Sequence, residues 1–122
     1  EWHLVPFIRH GRVYIAREKD DVVGLIQYMR DWEQPQKAYL MGVSIAQELR
    51  GQGFGTTLVS DSLRVLKQDS IEKVELTVDP TNHAAIKIYQ EKLGFLAQDT
   101  RLDEYGAGEH RLVMTLSLLK FT

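Results

Sequence analysis

The stretch "ELRGQGFGTTLVSDSLRVL", Glu48 to Leu66, places three glycines within five residues and then continues as a helical pattern. Its apolar residues recur three to five positions apart, which predicts an amphipathic helix from about Gly55 to Gln68. Amides in the first turn of a helix lack partners, and glycine lets the backbone approach a ligand closely. The stretch therefore predicts an anion-binding loop. The residues expected to face the core are Leu58, Val59, Leu63 and Leu66.

Three phosphate-binding motifs compete for this loop. A Walker A motif would need Gly-Lys where the sequence has Thr56 and Thr57, which excludes it. The dinucleotide fingerprint G-x-G-x-x-G fits poorly because the third glycine, Gly55, comes one residue early. The pattern Arg/Gln-x-x-Gly-x-Gly/Ala is satisfied from Arg50 to Gly55, with Gly51 as an additional glycine.

The segments around the loop predict a mixed sheet with two helices. Alternating apolar residues predict strands at 12–17, 22–30, 37–45 and 73–78, and two more follow the second helix, at 95–100 and 110–118. Gly42, inside the third strand, is typical of a bulge or of a close approach by another group. The second helix begins after "DPTN" (79–82), where Asn82 can accept a cap hydrogen bond, and ends at Gly94. The element order is β-β-β-α-β-α-β-β, an α+β fold with a mostly antiparallel sheet.

The composition excludes several classes of protein. The chain has 122 residues, which predicts a single domain, 1–122, and its net charge of -2 argues against nucleic-acid binding. It contains no cysteine, so disulfides and thiolate metal sites are excluded. No apolar run approaches the roughly twenty residues of a membrane span, and we expect a cytoplasmic protein without a metal.

A second motif identifies a family that the sequence resembles. The segment "NHAAIKIYQEKLGF" (82–95) is similar to Asn-x-x-Ala-x-x-Leu/Ile-Tyr followed by Gly-Phe, a signature of GNAT-type N-acetyltransferases. The glycine pattern is the other motif of this family, and the resemblance extends from about Arg12 to Leu118. One difference is that Tyr89 and Gly94 are one residue further apart than is commonest, which predicts a longer or bulged helix end.

The resemblance implies acetyl-CoA as cosubstrate. In the family, the third strand separates from its neighbour, and the pantetheine arm lies between them against the backbone of that strand. Tyr89 would be the general acid that protonates the departing thiolate, after direct attack by a neutral amine. A strand amide near Val43 would stabilise the oxyanion. The implied cofactor-binding residues are Val43, Ser44, Ile45, Arg50, Gly51, Gln52, Gly53, Phe54, Gly55, Thr56 and Asn82.

Several roles stay open at this stage. Asn82 is equally well explained as a helix cap. For Tyr89 the alternative is a half-buried aromatic packed on the sheet, and the spacing of seven residues from Asn82 favours catalysis. The family's ribosomal-protein acetyltransferases place a glutamate base where this chain has Thr77, and Glu75 is expected to be a solvated carboxylate. Other residues considered as a base, without a constellation to support them, are Tyr39, His83, His110 and His3. Glu104 and Tyr105 are candidate acceptor contacts in a loop that is equally well explained as a plain hairpin.

The resemblance predicts an N-acetyltransferase that acts on a primary amine of a small molecule or peptide. The alternative is a non-catalytic CoA-binding or sensing module. Family domains begin with a strand and helices that wall the acceptor side, whereas only eleven residues precede Arg12. We therefore expect either an N-terminally truncated domain or a partner subunit that supplies that wall, and a homodimer is one such arrangement. Apolar residues expected to cover part of the core edge are Trp2, Leu4, Phe7 and Ile8.

Overall fold

The structure, a computed structural model, describes residues 11–104 and 106–121. Six strands and two helices follow one another in the order predicted from the sequence. No helix in these two ranges is long and apolar enough to cross a bilayer. Tyr105 and the N-terminal residues Trp2, His3, Leu4, Phe7 and Ile8 lie outside the described residues. The elements are β1 (Gly11–Glu18), β2 (Asp21–Arg30), β3 (Lys37–Ile45), α1 (Phe54–Gln68), β4 (Lys73–Val78), α2 (His83–Lys87), β5 (Leu96–Arg101) and β6 (Arg111–Ser117).

The strands form a sheet in the order β1-β2-β3-β4-β6-β5. Every neighbouring pair is antiparallel except β3 and β4, which are parallel. These two strands pair only from Lys37–Tyr39 to Lys73–Glu75. Beyond that point β3 continues to Ile45 and β4 to Val78, but the two strands no longer pair with each other, so the sheet opens into a fork. The separation that the family resemblance implied is confirmed.

A bulge interrupts the pairing of β2 with β3. Tyr28 is opposite Leu40 and Gln27 is opposite Gly42, so Met41 has no opposite residue. An extra residue of this kind bends a strand and increases its twist. The bulge predicted from Gly42 is therefore confirmed, and it lies at the start of the part of β3 that leaves β4.

The core lies between the sheet and α1. Val59, Leu63 and Leu66 of the helix are buried, as predicted, and Leu58 packs against the same cluster. The sheet contributes Ile26 and Tyr28 of β2 and the alternate residues of β4. Burial of one such side chain is worth about 1.5–3 kcal/mol, so this face holds α1 and its N-terminus in place. The buried residues of β4 are Val74, Leu76 and Val78.

The second helix ends in a π-helical turn. Asn82 caps α2, because its side-chain oxygen accepts a hydrogen bond from the amide of Ala85 at 3.2 Å. After Lys87 the chain continues as π-helix over Ile88–Lys92, where the amide of Leu93 donates to the carbonyl of Ile88 at 3.2 Å. A π turn accommodates one more residue than an α-helical turn. The predicted bulged helix end is confirmed.

Candidate active site

The glycine loop, residues 50–56, connects a short 3-10 turn to the first turn of α1. Gly51 and Gly53 have φ of +79° and +83°, a conformation that side chains with a Cβ disfavour. These two positive φ values lie in the turn that leads into the N-terminus of a helix of 15 residues. Among the described residues, no acceptor bonds the amides from Gly51 to Thr56; the first helical bond runs from the Thr57 amide to the Gly53 carbonyl.

Two cations lie beside this loop. Arg50 and Lys92 both line a cavity of about 360 Å³ that the glycine loop borders. The Arg50 guanidinium is fixed by a hydrogen bond from Nε to the Ile45 carbonyl at 3.2 Å. Among the residues that the structure describes, no acidic side chain lines the cavity. This end of the cavity is suited to a diphosphate, because the amides of the glycine loop have no acceptor, the positive end of α1 lies there and two cations are close by.

The other end of the cavity reaches the fork in the sheet. Val43 and Ile45 of β3 line it on one side, and Ala85 and Tyr89 line it on the other. The backbone of β3 has no partner on its β4 side past Tyr39. An unpaired strand edge offers amide and carbonyl groups to an extended ligand. A diphosphate site is therefore continuous with a slot for a narrow, amide-containing chain.

The predicted site residues fall into two groups. Tyr89 and seven of the predicted cofactor-binding residues line the cavity together: Val43, Ile45, Arg50, Gly51, Gly53, Gly55 and Thr56. The others do not line it. Ser44 and Phe54 are exposed, and the Gln52 side chain donates to the Glu48 carbonyl at 3.0 Å, so Gln52 and Phe54 contribute their backbone to the loop. The Asn82 side chain is engaged in the helix cap.

Tyr89 is held between the cavity and the core. Its ring packs edge to face against Phe95, with centroids 5.7 Å apart, and the Phe95 amide donates to the Tyr89 carbonyl at 2.8 Å. Burial raises the pKa of Tyr89 above its usual value of 10.0, because the ionised phenolate would lose hydration. The phenol therefore stays protonated at neutral pH and can donate a proton into the cavity.

Sequence reasoning did not assign the remaining wall of the cavity. Ala85, Ile88 and Lys92 are three or four residues apart, the spacing that brings side chains to one face of a helix. That spacing was available in the sequence, since these residues belong to the second motif. Leu49 carried no such signal. The residues that line the cavity and were not predicted to do so are Leu49, Val59, Ala85, Ile88, Lys92 and Leu93.

The expectation that Glu75 is solvated is wrong. Glu75 is 8 % exposed, and its two oxygens are 3.0 Å from Lys37 Nζ and 3.0 Å from Arg101 Nη2. Arg101 also contacts Glu104 at 3.2 Å. These ion pairs connect β3, β4 and β5 at Glu75, which is opposite Tyr39 in the last pairing before the fork. Both carboxylate oxygens of Glu75 are therefore engaged by cations.

A pair of hydroxyl groups follows at the fork. Tyr39 Oη and Thr77 Oγ1 are 2.8 Å apart, and Thr77 lies on β4 just past the last backbone pair with β3, Tyr39–Glu75. Thr77 occupies the position where the family resemblance implies a glutamate. The histidines in the described part of the chain lie elsewhere: His83 begins α2 exposed, and His110 accepts from the Asp103 amide at 3.1 Å.

Comparison with known proteins assigns the family. Residues 2–95 match the acetyltransferase (GNAT) family. An N-alpha-acetyltransferase of Saccharolobus solfataricus is 28 % identical over 127 residues, covering 92 % of this chain and 75 % of that protein. N-alpha-acetyltransferase 30 of Schizosaccharomyces pombe is 31 % identical over 84 residues, covering 67 % of this chain and 55 % of that protein. The chain thus spans three quarters of one relative and about half of the other.

Solved structures share the fold. A Bacillus subtilis acetyltransferase in complex with CoA superposes with a TM-score of 0.83 at 21 % identity, covering 98 % of this chain and 84 % of that one. The ribosomal-protein-S18-alanine N-acetyltransferase from Escherichia coli gives a TM-score of 0.77 at 20 % identity, covering 89 % and 70 %. With the family match spanning most of its length, this chain belongs to the acetyltransferase (GNAT) family.

Proposed function

We propose that the protein is an acetyl-CoA-dependent N-acetyltransferase whose acceptor is the α-amine of a peptide or protein. The observation that supports this best is the continuity of the cavity: unpartnered amides at Gly51–Thr56 lie at one end and the open edge of β3 at the other. CoA has a diphosphate followed by a narrow arm with two amide groups. The order of these chemical groups matches the order of binding groups along the cavity.

The residues of the cavity would have distinct roles. The amides of the glycine loop would hold the diphosphate, and Arg50 and Lys92 would balance its charge. The β3 backbone near Val43 would bind the arm and stabilise the oxyanion. Acetyl-CoA supplies an activated thioester when bound. Tyr89, kept protonated by burial, would supply the proton that the departing thiolate needs.

The attacking amine must lose a proton, and Glu75 is engaged by two cations. The Tyr39–Thr77 pair is a polar group at the fork: Tyr39 is opposite Glu75, and Thr77 is two residues after it. Two bonded hydroxyls can pass a proton along to water. We therefore assign the transfer of the proton from the amine to this pair of hydroxyl groups. The pair would take the place of the glutamate that the family resemblance implies at the position of Thr77.

The acceptor class comes from the relatives. The Saccharolobus and Schizosaccharomyces proteins are named for N-alpha acetylation, and the Escherichia coli structure is named for an alanine of a ribosomal protein. These names favour a peptide α-amine over a lysine side chain, a polyamine or an antibiotic amine. The alternative function is a CoA-binding module without catalysis, which the absence of a carboxylate at Thr77 favours.

The test compares peptides with free and blocked α-amines as acceptors, and it replaces the proposed general acid, Tyr89. Peptides with a free α-amine should release CoA thiol in the presence of acetyl-CoA, whereas the same peptides blocked at the N-terminus should not. Tyr89→Phe should lower kcat about 100-fold, in the range of general acid catalysis, and leave the Kd for CoA unchanged. CoA binding without thiol release from any amine would establish the binding module instead.

A further inference from the structure

A second groove continues from the candidate active site past Lys92. It has a volume of about 440 Å³ and lies between α1 and the segment that follows β6. Lys92 lines both cavities, so the two are adjacent at this side chain. Ser60 and Arg64, about two and three turns into α1, form one wall, and Lys120 and Phe121 form the other.

The groove is basic in a chain whose net charge is -2. Its lining contains three cations, Arg64, Lys92 and Lys120, and no acidic residue. Arg64 is paired with Asp61 at 2.8 Å and lies over the Phe121 ring, 5.9 Å from its centroid. Both lysines are exposed side chains, and Ser60 adds a hydroxyl group to the lining.

The wall that carries Lys120 is fixed to the core. Leu118 is fully buried, and its amide donates to the Glu72 carbonyl at 2.8 Å. The Phe121 carbonyl accepts a hydrogen bond from Lys67 Nζ at 2.7 Å, which attaches this segment to α1. The separation of the two walls is therefore set by packing, so the groove has a defined width.

We propose that this groove binds the 3′-phosphate at the nucleotide end of CoA, an inference that rests on the proposed function. With the diphosphate on the glycine loop and the arm in the fork, the nucleotide end of CoA remains to be placed, and the groove is a basic space that adjoins the first cavity at Lys92. A phosphate monoester there is a dianion or nearly so at neutral pH. Lys92, Lys120 and the Ser60 hydroxyl are the donors, and the Arg64–Phe121 pair is the apolar flank.

The experiment compares CoA with 3′-dephospho-CoA, which lacks only that phosphate, by isothermal titration calorimetry on the full chain. Lys120→Gln is the informative variant because Lys120 lies outside the first cavity. We expect it to weaken CoA binding about three- to tenfold, as loss of one exposed charge-assisted contact should, and to leave dephospho-CoA binding unchanged.

The matched control is Lys87→Gln, which removes the same charge from α2, where Lys87 is exposed and lines neither cavity. Equal weakening of both ligands by Lys120→Gln, no weakening of CoA, or the same effect from Lys87→Gln would each overturn the assignment of the groove. If the unaltered protein bound neither ligand, the proposed function itself would be wrong and this inference with it.

Discussion

Tyr28 places a hydroxyl group inside the apolar core. Its side chain is 1 % exposed, and its Oη is 2.8 Å from the Oγ of Ser62, which in turn donates to the Val59 carbonyl at 2.8 Å. Tyr28 therefore donates to Ser62, and this chain of hydrogen bonds joins β2 to α1. Burial raises the pKa of Tyr28 well above its usual value of 10.0, because the phenolate would be formed without water.

Tyr28→Phe tests this contribution. At neutral pH the variant should lose about 1 kcal/mol of unfolding free energy, the net value of one hydrogen bond. Unfolded Tyr28 gives up its proton above pH 10.0, while the folded form keeps it, so this part of the wild-type stability is lost as the pH rises past 10.0. The variant should show a smaller alkaline loss, measured by urea unfolding at neutral pH and at about pH 10.5.

Ser62→Ala is the control for that prediction. In a double-mutant cycle with Tyr28→Phe at neutral pH, the two losses should be less than additive, because both changes remove the same hydrogen bond. An unchanged alkaline loss in Tyr28→Phe would show that other groups cause it.

Single residues differ in how far their role could be predicted. Alternation along β2 is enough to bury Ile26 and Tyr28, because one face of a strand repeats every second residue. Glu75 was predicted wrongly from its charge. Its partners Lys37 and Arg101 are on other strands, and nothing local to "KVELTV" indicates that two cations will meet there.

At the scale of elements, the glycine loop owes its shape to backbone conformation. A Cβ at Gly53 would meet no atom within 4 Å, so the requirement for glycine there comes from its φ of +83° alone. A residue with a side chain prefers negative φ by about 1–2 kcal/mol, and would turn the following amides away from the cavity.

Gly53→Ala should therefore lower both stability and ligand affinity. We expect a loss of about 1 kcal/mol in unfolding free energy and a clearly weaker Kd for CoA. Gly108→Ala is the matched control, since Gly108 has a φ of +78° and equally open surroundings in the loop before β6. It should lose similar stability and keep its CoA affinity, as thermal unfolding and calorimetry would show. Equal affinity in both variants would contradict a role for the loop in binding.

The π turn is an element that spacing alone predicted. One residue more than usual between Tyr89 and Gly94 must be accommodated somewhere, and the helix absorbs it over Ile88–Lys92. The result leaves Tyr89 on the cavity wall. The exact use of Asn82 could not be predicted, because capping and ligand binding require the same side-chain oxygen at the same position.

At the scale of the whole molecule, β1-β2-β3 and β4-β6-β5 form two groups of strands joined by three residue pairs and by α1. The ion pairs of Glu75 strengthen that junction, since Lys37 belongs to one group and Arg101 to the other. The order of elements predicted a mixed, mostly antiparallel sheet, and the family resemblance implied the separation of β3 from β4, but the order of the strands in the sheet was not predicted. The side-chain links across it depend on contacts between distant residues and were not predicted.

Glu75→Gln should destabilise the junction. Removing one partner of a buried ion pair leaves Lys37 and Arg101 facing each other, and the partial exposure of both reduces the cost to about 1–3 kcal/mol. Glu104→Gln removes a charge from the outer side of the same arginine and should cost less than about 0.5 kcal/mol. Urea unfolding of the two variants measures the difference, and equal losses would show that Glu75 behaves as a surface residue.

The short pairing of β3 with β4 has a consequence for the free protein. Three residue pairs join the two groups of strands here, so a molecule that fills the gap beyond them would add contacts between the groups. A molecule lying there would act as an inserted strand that is removed at every turnover. The enzyme would then be at its most rigid only while it is loaded, and amide hydrogens on both sides of the gap would exchange most slowly in that state.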